Sequence, residues 1–231
     1  MIKTSISNKT KITSLAAAVA LLVLGAIQAQ GQSVSFNFSD GNADGWFNSG
    51  FGSSPIPAIS NIGGQNYMYI PLGGFQVANV TSSSSTLPSF YATMQAAAAN
   101  PAGYEISYDY YINTAAFSGA TYLQLGTFVN TGSGYYAQDY STPDEVSFNG
   151  TQLASGGVFQ GQVTINLAAV GFNMPAADTF FRLGLVENGN GTGVGVYYTD
   201  ISVTPVPEPG TLALFGLGLA AGTAFLRRRK A

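Results

Sequence analysis

Cysteine and histidine are both absent from this chain of 231 residues, and charged residues make up only 8% of it. An ordinary soluble protein carries roughly 25% charged residues. Without Cys or His there is no disulfide framework, no zinc site of the usual ligand set and no Ser-His-Asp or Cys-His nucleophile. Haem, iron–sulfur and blue-copper ligation by the common residues are excluded with them. Positive charge is scarce and confined. Lys3, Lys9 and Lys11 stand at one end and Arg227, Arg228, Arg229 and Lys230 at the other. Arg182 is the single base between residues 31 and 204, where ten acids leave a net charge of −9. A body of that charge repels phosphates, so nucleic-acid binding is excluded. Carboxylate, hydroxyl, amide and aromatic chemistry remain, with 13 Tyr and 15 Phe to supply the last.

The basic start leads into an apolar run at 15–27, LAAAVALLVLGAI, that closes on Gln28-Ala29-Gln30-Gly31. A run of 13 residues is too short for a membrane span of roughly 30 Å but fits the core of a signal peptide. Residues 1–30 are therefore expected to direct export.

At the other end stands Val206-Pro207-Glu208-Pro209, then an apolar segment at 212–226 and the four consecutive bases. As a transmembrane helix the segment is about 22 Å long and spans a bilayer only marginally. The bases would stay cytoplasmic and leave everything before Pro205 outside. Pro207 and Pro209 hold the preceding backbone extended. This layout resembles the PEP-CTERM sorting signal of Gram-negative bacteria, and the resemblance covers residues 206–231. It implies recognition by an exosortase, a membrane protease that would process the chain near Pro207-Glu208-Pro209. It further implies an inner-membrane intermediate held by the C-terminal helix, and a final place at the cell surface or in the extracellular polysaccharide matrix.

Between these ends the periodicity is that of strands. Across 104–112, Tyr104, Ile106, Tyr108 and Tyr110 alternate with Glu105, Ser107 and Asp109, so the two sets face opposite ways. Residues 34–39, 121–129, 162–167, 180–186 and 194–203 are further strand candidates. Glycine- and asparagine-rich breaks separate them, among them Gly63-Gly64 and Asn149-Gly150. One helix is expected at 91–99, ended by Asn100-Pro101. The run TSSSST at 81–86 reads as a surface loop. Residues 31–204 are thus expected to form one all-β domain, a single antiparallel β-sandwich, followed by the sorting and anchor segment at 205–231.

The body opens with Phe36-Asn37-Phe38-Ser39-Asp40-Gly41 and Asp44-Gly45-Trp46, and closes with Tyr198-Thr199-Asp200-Ile201-Ser202-Val203. In layout it resembles the jelly-roll class of carbohydrate-binding modules and galactose-binding-like domains. The resemblance implies that Asp40 and Asp200 could share a structural Ca²⁺; no other cofactor is required.

Trp46 and a tyrosine-rich loop with Tyr135, Tyr136 and Tyr140 are the candidates for stacking on sugar, because an aromatic face packs against the C–H face of a pyranose. Buried packing is the commoner fate of a lone Trp beside a strand, which makes the loop the better candidate. Asp144-Glu145 raises the question of glycosidase chemistry. Neighbours on a strand point to opposite faces, whereas a catalytic pair must converge across a cleft. These acids, with Glu105 and Glu187, read as solvated surface groups. The expectation is an exported surface or matrix protein without catalytic activity, structural or adhesive in exopolysaccharide. A glycan-binding module is the alternative and a polysaccharide-active enzyme the second alternative.

Overall fold

The computed structural model describes residues 31–48, 56–131, 135–137, 146–169, 171–172, 175–193 and 195–206. Within them the alternating patterns become two antiparallel sheets. The first sheet runs in the order β11 (Val158–Asn166), β6 (Tyr104–Asn113), β14 (Val196–Pro205), β4 (Gln65–Ile70) and β3 (Ala58–Ile62), with β1 (Val34–Phe36) also on β14. The second runs β10 (Val146–Asn149), β8 (Tyr122–Thr131), β12 (Phe180–Gly189), β5 (Gly74–Ser83) and β2 (Trp46–Asn48), with β9 (Tyr135–Ala137) also on β8. A two-residue ribbon joins β7 (Phe117–Ser118) to β13 (Thr192–Gly193).

The inner faces meet in one apolar core. β6 contributes Tyr104, Ile106, Tyr108 and Ile112, and β14 contributes Val196, Tyr198, Ile201 and Val203. Leu123, Leu125 and Val129 of β8 and Phe181, Leu183 and Leu185 of β12 face them from the second sheet. Burying such side chains stabilises by roughly 1.5–3 kcal/mol each, which is what selects the register: a slip of one residue would turn the whole set to solvent.

Helix α1 (Pro88–Ala99) carries the chain from β5 in the second sheet to β6 in the first and touches strands of both. It begins three residues before the expected start because Pro88 sits at its first turn, where a fixed φ and a missing N–H cost nothing. Phe90 anchors it, ring edge to Phe36 at 5.7 Å. The Tyr91 hydroxyl donates to the Asp178 carbonyl at 2.7 Å.

Three local expectations change. Strand β1 ends at Phe36 because Phe38 takes φ 56°, a left-handed conformation that turns the chain. The serine run is partly strand: β5 continues through Ser83, and buried Ser82 donates to the Phe181 carbonyl. Asn149-Gly150 opens a short helix, α2 (Gly150–Leu153), through a reciprocal capping box between Asn149 and Gln152, which satisfies two free N–H donors at once.

Residues Gln32–Pro205 form one compact unit. Among the described residues no helix is long and apolar enough to cross a membrane. The expected signal and anchor helices lie outside the described residues.

Candidate functional site

The outward face of the first sheet collects tyrosines. Its geometry starts from the β3–β4 hairpin, where Gly63 and Gly64 take φ 63° and 95°. That two-residue turn suits the strand twist and needs residues free to adopt positive φ. It pairs Ile62 with Gln65 and, further along, Ser60 with Tyr67 and Ala58 with Tyr69. Met68 and Ile70 then point into the core, fully buried, so Tyr67 and Tyr69 point out.

Register carries the row across the sheet. Tyr69 pairs with Tyr197, Tyr197 with Tyr111, and Tyr111 with Gln160. The next row places Asp109 between Gln162 and Thr199. Tyr69 and Tyr197 have ring centroids 5.0 Å apart, Tyr111 and Tyr197 6.1 Å, and Tyr67 and Tyr111 6.1 Å. Tyr67 closes the group edge-on to Tyr197 at 6.4 Å. All four rings are half-buried, held by neighbours on one side and open on the other.

Polar groups fix this surface. Gln162 donates to the Asp109 carboxylate at 3.0 Å, and Gln65 donates to the Thr199 hydroxyl at 3.0 Å. The Gly195 N–H donates to the Tyr69 hydroxyl at 3.2 Å. An open cleft with about 440 Å³ of water-accessible space lies among Tyr67, Asp109, Tyr110, Gln160, Gly161 and Gln162.

Asp200 joins the site through a bulge. Between Thr199 and Ser202 the pairing with β6 slips, and Asp200 takes φ 48°. At that point β14 changes its other neighbour, from β4 at Val196–Tyr198 to β1 at Ile201–Val203. Bulges re-aim a side chain, and here the carboxylate reaches the field of Asp109 and Tyr67. Partial burial and the nearby Asp109 charge raise the Asp200 carboxyl above its ordinary value. The Tyr67 hydroxyl is pushed up by burial, then by Asp109 and Asp200. Burial, then Tyr69 and Tyr111, do the same to Tyr197.

The expected site residues fall elsewhere. Trp46 is 2% exposed and stands edge-on to Phe36 at 5.7 Å in the core. A ring so enclosed offers no face to a sugar, which corrects its assignment as a stacking residue. Tyr135 and Tyr136 belong to strand β9, paired with Asn130 and Val129, and not to a loop. Tyr140 and the Asp144-Glu145 pair lie outside the described residues, as do Pro207, Glu208, Pro209 and the basic tail from Arg227 to Lys230.

Asp40 occupies the turn after β1, where Asn42 donates to it from backbone and side chain at 2.9 Å and lowers its carboxyl. Burial raises the neighbouring Asp44, with the charge of Asp40 adding to it. Asp200 feels Asp109 instead. Among the described residues no group of three or more acids gathers as a metal ion would need.

Glu187 corrects a second expectation. It is fully buried in the core, not solvated, and burial holds its carboxyl well above the carboxylate range.

The tyrosine face was in reach of the sequence. Gln65-Asn66-Tyr67-Met68-Tyr69-Ile70 alternates tyrosine with apolar residues, the same signal that marked 104–112. Only the cross-strand register shows that Tyr67, Tyr69, Tyr111 and Tyr197 share one surface.

Residues 205–230 match the PEP-CTERM protein-sorting motif. No curated protein matches the chain in sequence. Among solved structures the fold is similar to a family 28 carbohydrate-binding module specific for non-crystalline cellulose, at 14% identity over 72% of this chain and 90% of that one, TM-score 0.50. A family 27 module with specific mannan recognition matches at 13% identity over 77% and 98%, TM-score 0.45. A family 22 xylan-binding domain from Paenibacillus barcinonensis matches at 10% identity over 76% and 96%, TM-score 0.43. The chain is thus an exported protein that carries a PEP-CTERM protein-sorting motif at 205–230 and a jelly-roll-like β-sandwich body of the kind found in carbohydrate-binding modules.

Proposed function

We propose that the protein is a surface or matrix component that holds extracellular polysaccharide on the tyrosine face of its first sheet. The single observation that carries this reading is the row Tyr69–Tyr197–Tyr111 with Tyr67 beside it. Tyrosine rings fixed by their neighbours lose little freedom on contact and bring both an apolar body and a hydroxyl. Sugar presents the complementary pair, C–H faces and hydroxyl edges. Gln160 and Gln162, exposed along the cleft, supply amide donors and acceptors for those hydroxyls. One fold serves many ligands, so the weight rests on this face and not on the architecture.

Location and binding then act together. Export directed by residues 1–30 delivers the body outside, processing by an exosortase near Glu208 frees it or passes it to the surface, and the face keeps it within the matrix. The role is adhesive, with no bond made or broken.

Retention of the full chain in gels cast with extracellular polysaccharide tests the reading. Tyr67→Ala with Tyr197→Ala is expected to lower retention at least about tenfold, or about 1.4 kcal/mol, while circular dichroism stays unchanged. Retention unaffected by the double substitution would reject the face as the binding surface.

A further inference from the structure

Charge on this face is of one sign. Glu105, Asp109 and Asp200 lie on the first sheet, and the only base of the body, Arg182, belongs to the second. Arg182 is already engaged there, its Nε donating to the Thr81 hydroxyl at 3.0 Å and its guanidinium 5.7 Å from the Phe47 ring centre. Among the described residues no cation answers Asp109 or Asp200. Asp109 raises the Asp200 carboxyl and both raise the Tyr67 hydroxyl, and among the described residues Gln162 donates to one Asp109 oxygen, Oδ1.

Two carboxylates alone would attract any cation. The tyrosines narrow the choice. An ammonium group gains from the negative face of an aromatic ring as well as from a carboxylate, whereas a divalent metal ion wants six to eight oxygens, or an octahedral set. The cleft between Tyr67, Asp109, Gln160 and Gln162 has rings, one carboxylate oxygen and neutral amides, which suit an amino sugar far better than a metal.

Resting on the polysaccharide reading above, we propose that the face recognises a hexosamine polymer with free, protonated amines. The rings take the sugar face, Asp109 in the cleft takes the ammonium with Asp200 of the same sheet adding to the negative field, and the glutamines take the hydroxyls. Uronic acid polymers are repelled by the same two carboxylates. Selection thus comes from an attractive and a repulsive element on one surface.

The test uses the full chain in mild detergent and three probes: glucosamine oligosaccharides, their N-acetylated counterparts and a polyuronate. Calorimetric titration in mildly acidic buffer is expected to show the free amine form bound at least about tenfold tighter than the acetylated form, with polyuronate not bound. Asp109→Asn with Asp200→Asn should abolish that gap. Asp40→Asn with Asp44→Asn removes the same charge from a different part of the molecule and should leave the gap in place. If both double variants weaken amine binding equally, the effect is net charge and the proposal fails. Equal affinity for the free and acetylated forms also overturns it, while leaving the tyrosine face as a glycan site. Binding of polyuronate, with or without added Ca²⁺, overturns it in favour of an uncharged or metal-bridged contact. No binding of any probe overturns this proposal, and the gel-retention test then decides the reading on which it rests.

Discussion

Glu187 and Tyr198 face each other's field from opposite sheets, both fully buried, and among the described residues no hydrogen bond of good geometry reaches the Glu187 carboxyl oxygens or the Tyr198 hydroxyl. The nearby Val196 N–H offsets only part of the burial that holds Glu187 protonated. A carboxyl in this position costs stability that an apolar side chain would not, since an unpaired buried polar group loses water and gains no partner. The sandwich therefore keeps an acid at its centre, on the inner side of β12, while the tyrosine surface lies on the outer side of the opposite sheet.

That arrangement sets a pH dependence. Unfolded, Glu187 ionises in the ordinary carboxylate range; folded, it keeps its proton well above that range. Between the two values the folded state binds the extra proton, so stability falls as pH rises. The Glu187 contribution is complete below the unfolded value and is lost as pH climbs through the folded one. Denaturant unfolding at a series of pH values should show this decline, by up to roughly tenfold in the folding equilibrium per pH unit. Glu187→Gln should remove that slope and be the more stable form at neutral pH. A slope unchanged in the variant would show that other groups set it.

Trp46 should behave as a core residue. Trp46→Ala is expected to cost about 3–5 kcal/mol, because it opens a cavity against Phe36. Trp46→Phe should cost much less, since among the described residues the indole N–H has no hydrogen-bond partner to lose. Polysaccharide retention by the folded Phe variant should match the parent, whereas a stacking tryptophan would lose it. Thermal unfolding and gel retention on the same samples separate these outcomes.

The architecture was legible where burial imposes a period of two. Tyr104, Ile106 and Tyr108 alternate with Glu105, Ser107 and Asp109 in the sequence and in the sheet alike, because one side of β6 meets the core and the other meets water. The signal weakens where that asymmetry does. Residues 74–83 form the long strand β5, yet Gln76 to Val80 are buried on both faces, and no alternation survives to mark them. The site depended on contacts far apart in the chain. Tyr69 and Tyr197 are partners only through the β4–β14 register, and Asp200 arrives through a bulge that a linear pattern does not display. Trp46 was open to two readings for a related reason: a lone indole beside a strand can be packed inward or offered outward, and only the pairing of β2 with β5 at Val80 turns it inward.

Gly195 couples the fold to the tyrosine face. A Cβ at this position would collide with the Ile70 carbonyl oxygen and stand 2.7 Å from the Leu72 nitrogen, both backbone atoms that cannot swing aside. The same residue's N–H holds the Tyr69 hydroxyl. Gly195→Ala should destabilise by about 1–3 kcal/mol through overpacking and displace Tyr69 from Tyr197. Its retention on polysaccharide should fall even under conditions where the variant stays folded. Tyr69→Phe, which loses only the hydroxyl, should retain the fold and most of the binding. Equal stability of Gly195→Ala and the parent would mean that the two segments do not approach so closely.

The sorting motif makes a prediction about covalent form. The prolines of Pro207-Glu208-Pro209 disfavour helix in the residue before each, and a protease takes a peptide into its active site extended, while Arg227 to Lys230 would hold the following segment on the cytoplasmic side. Material from the cell surface or medium should therefore begin near Gln30 to Gln32 and lack everything beyond the Pro207–Pro209 region, whereas the membrane fraction should contain chains that retain the basic tail. Glu208→Ala, or deletion of the four bases, should shift the protein into that membrane fraction and reduce the processed form at least about tenfold, as 1.4 kcal/mol in recognition would. Intact mass measurement on both fractions decides the matter. A surface species that keeps Arg227 to Lys230 would make the segment a permanent anchor, and the tyrosine face would then bind polysaccharide from a fixed point on the membrane.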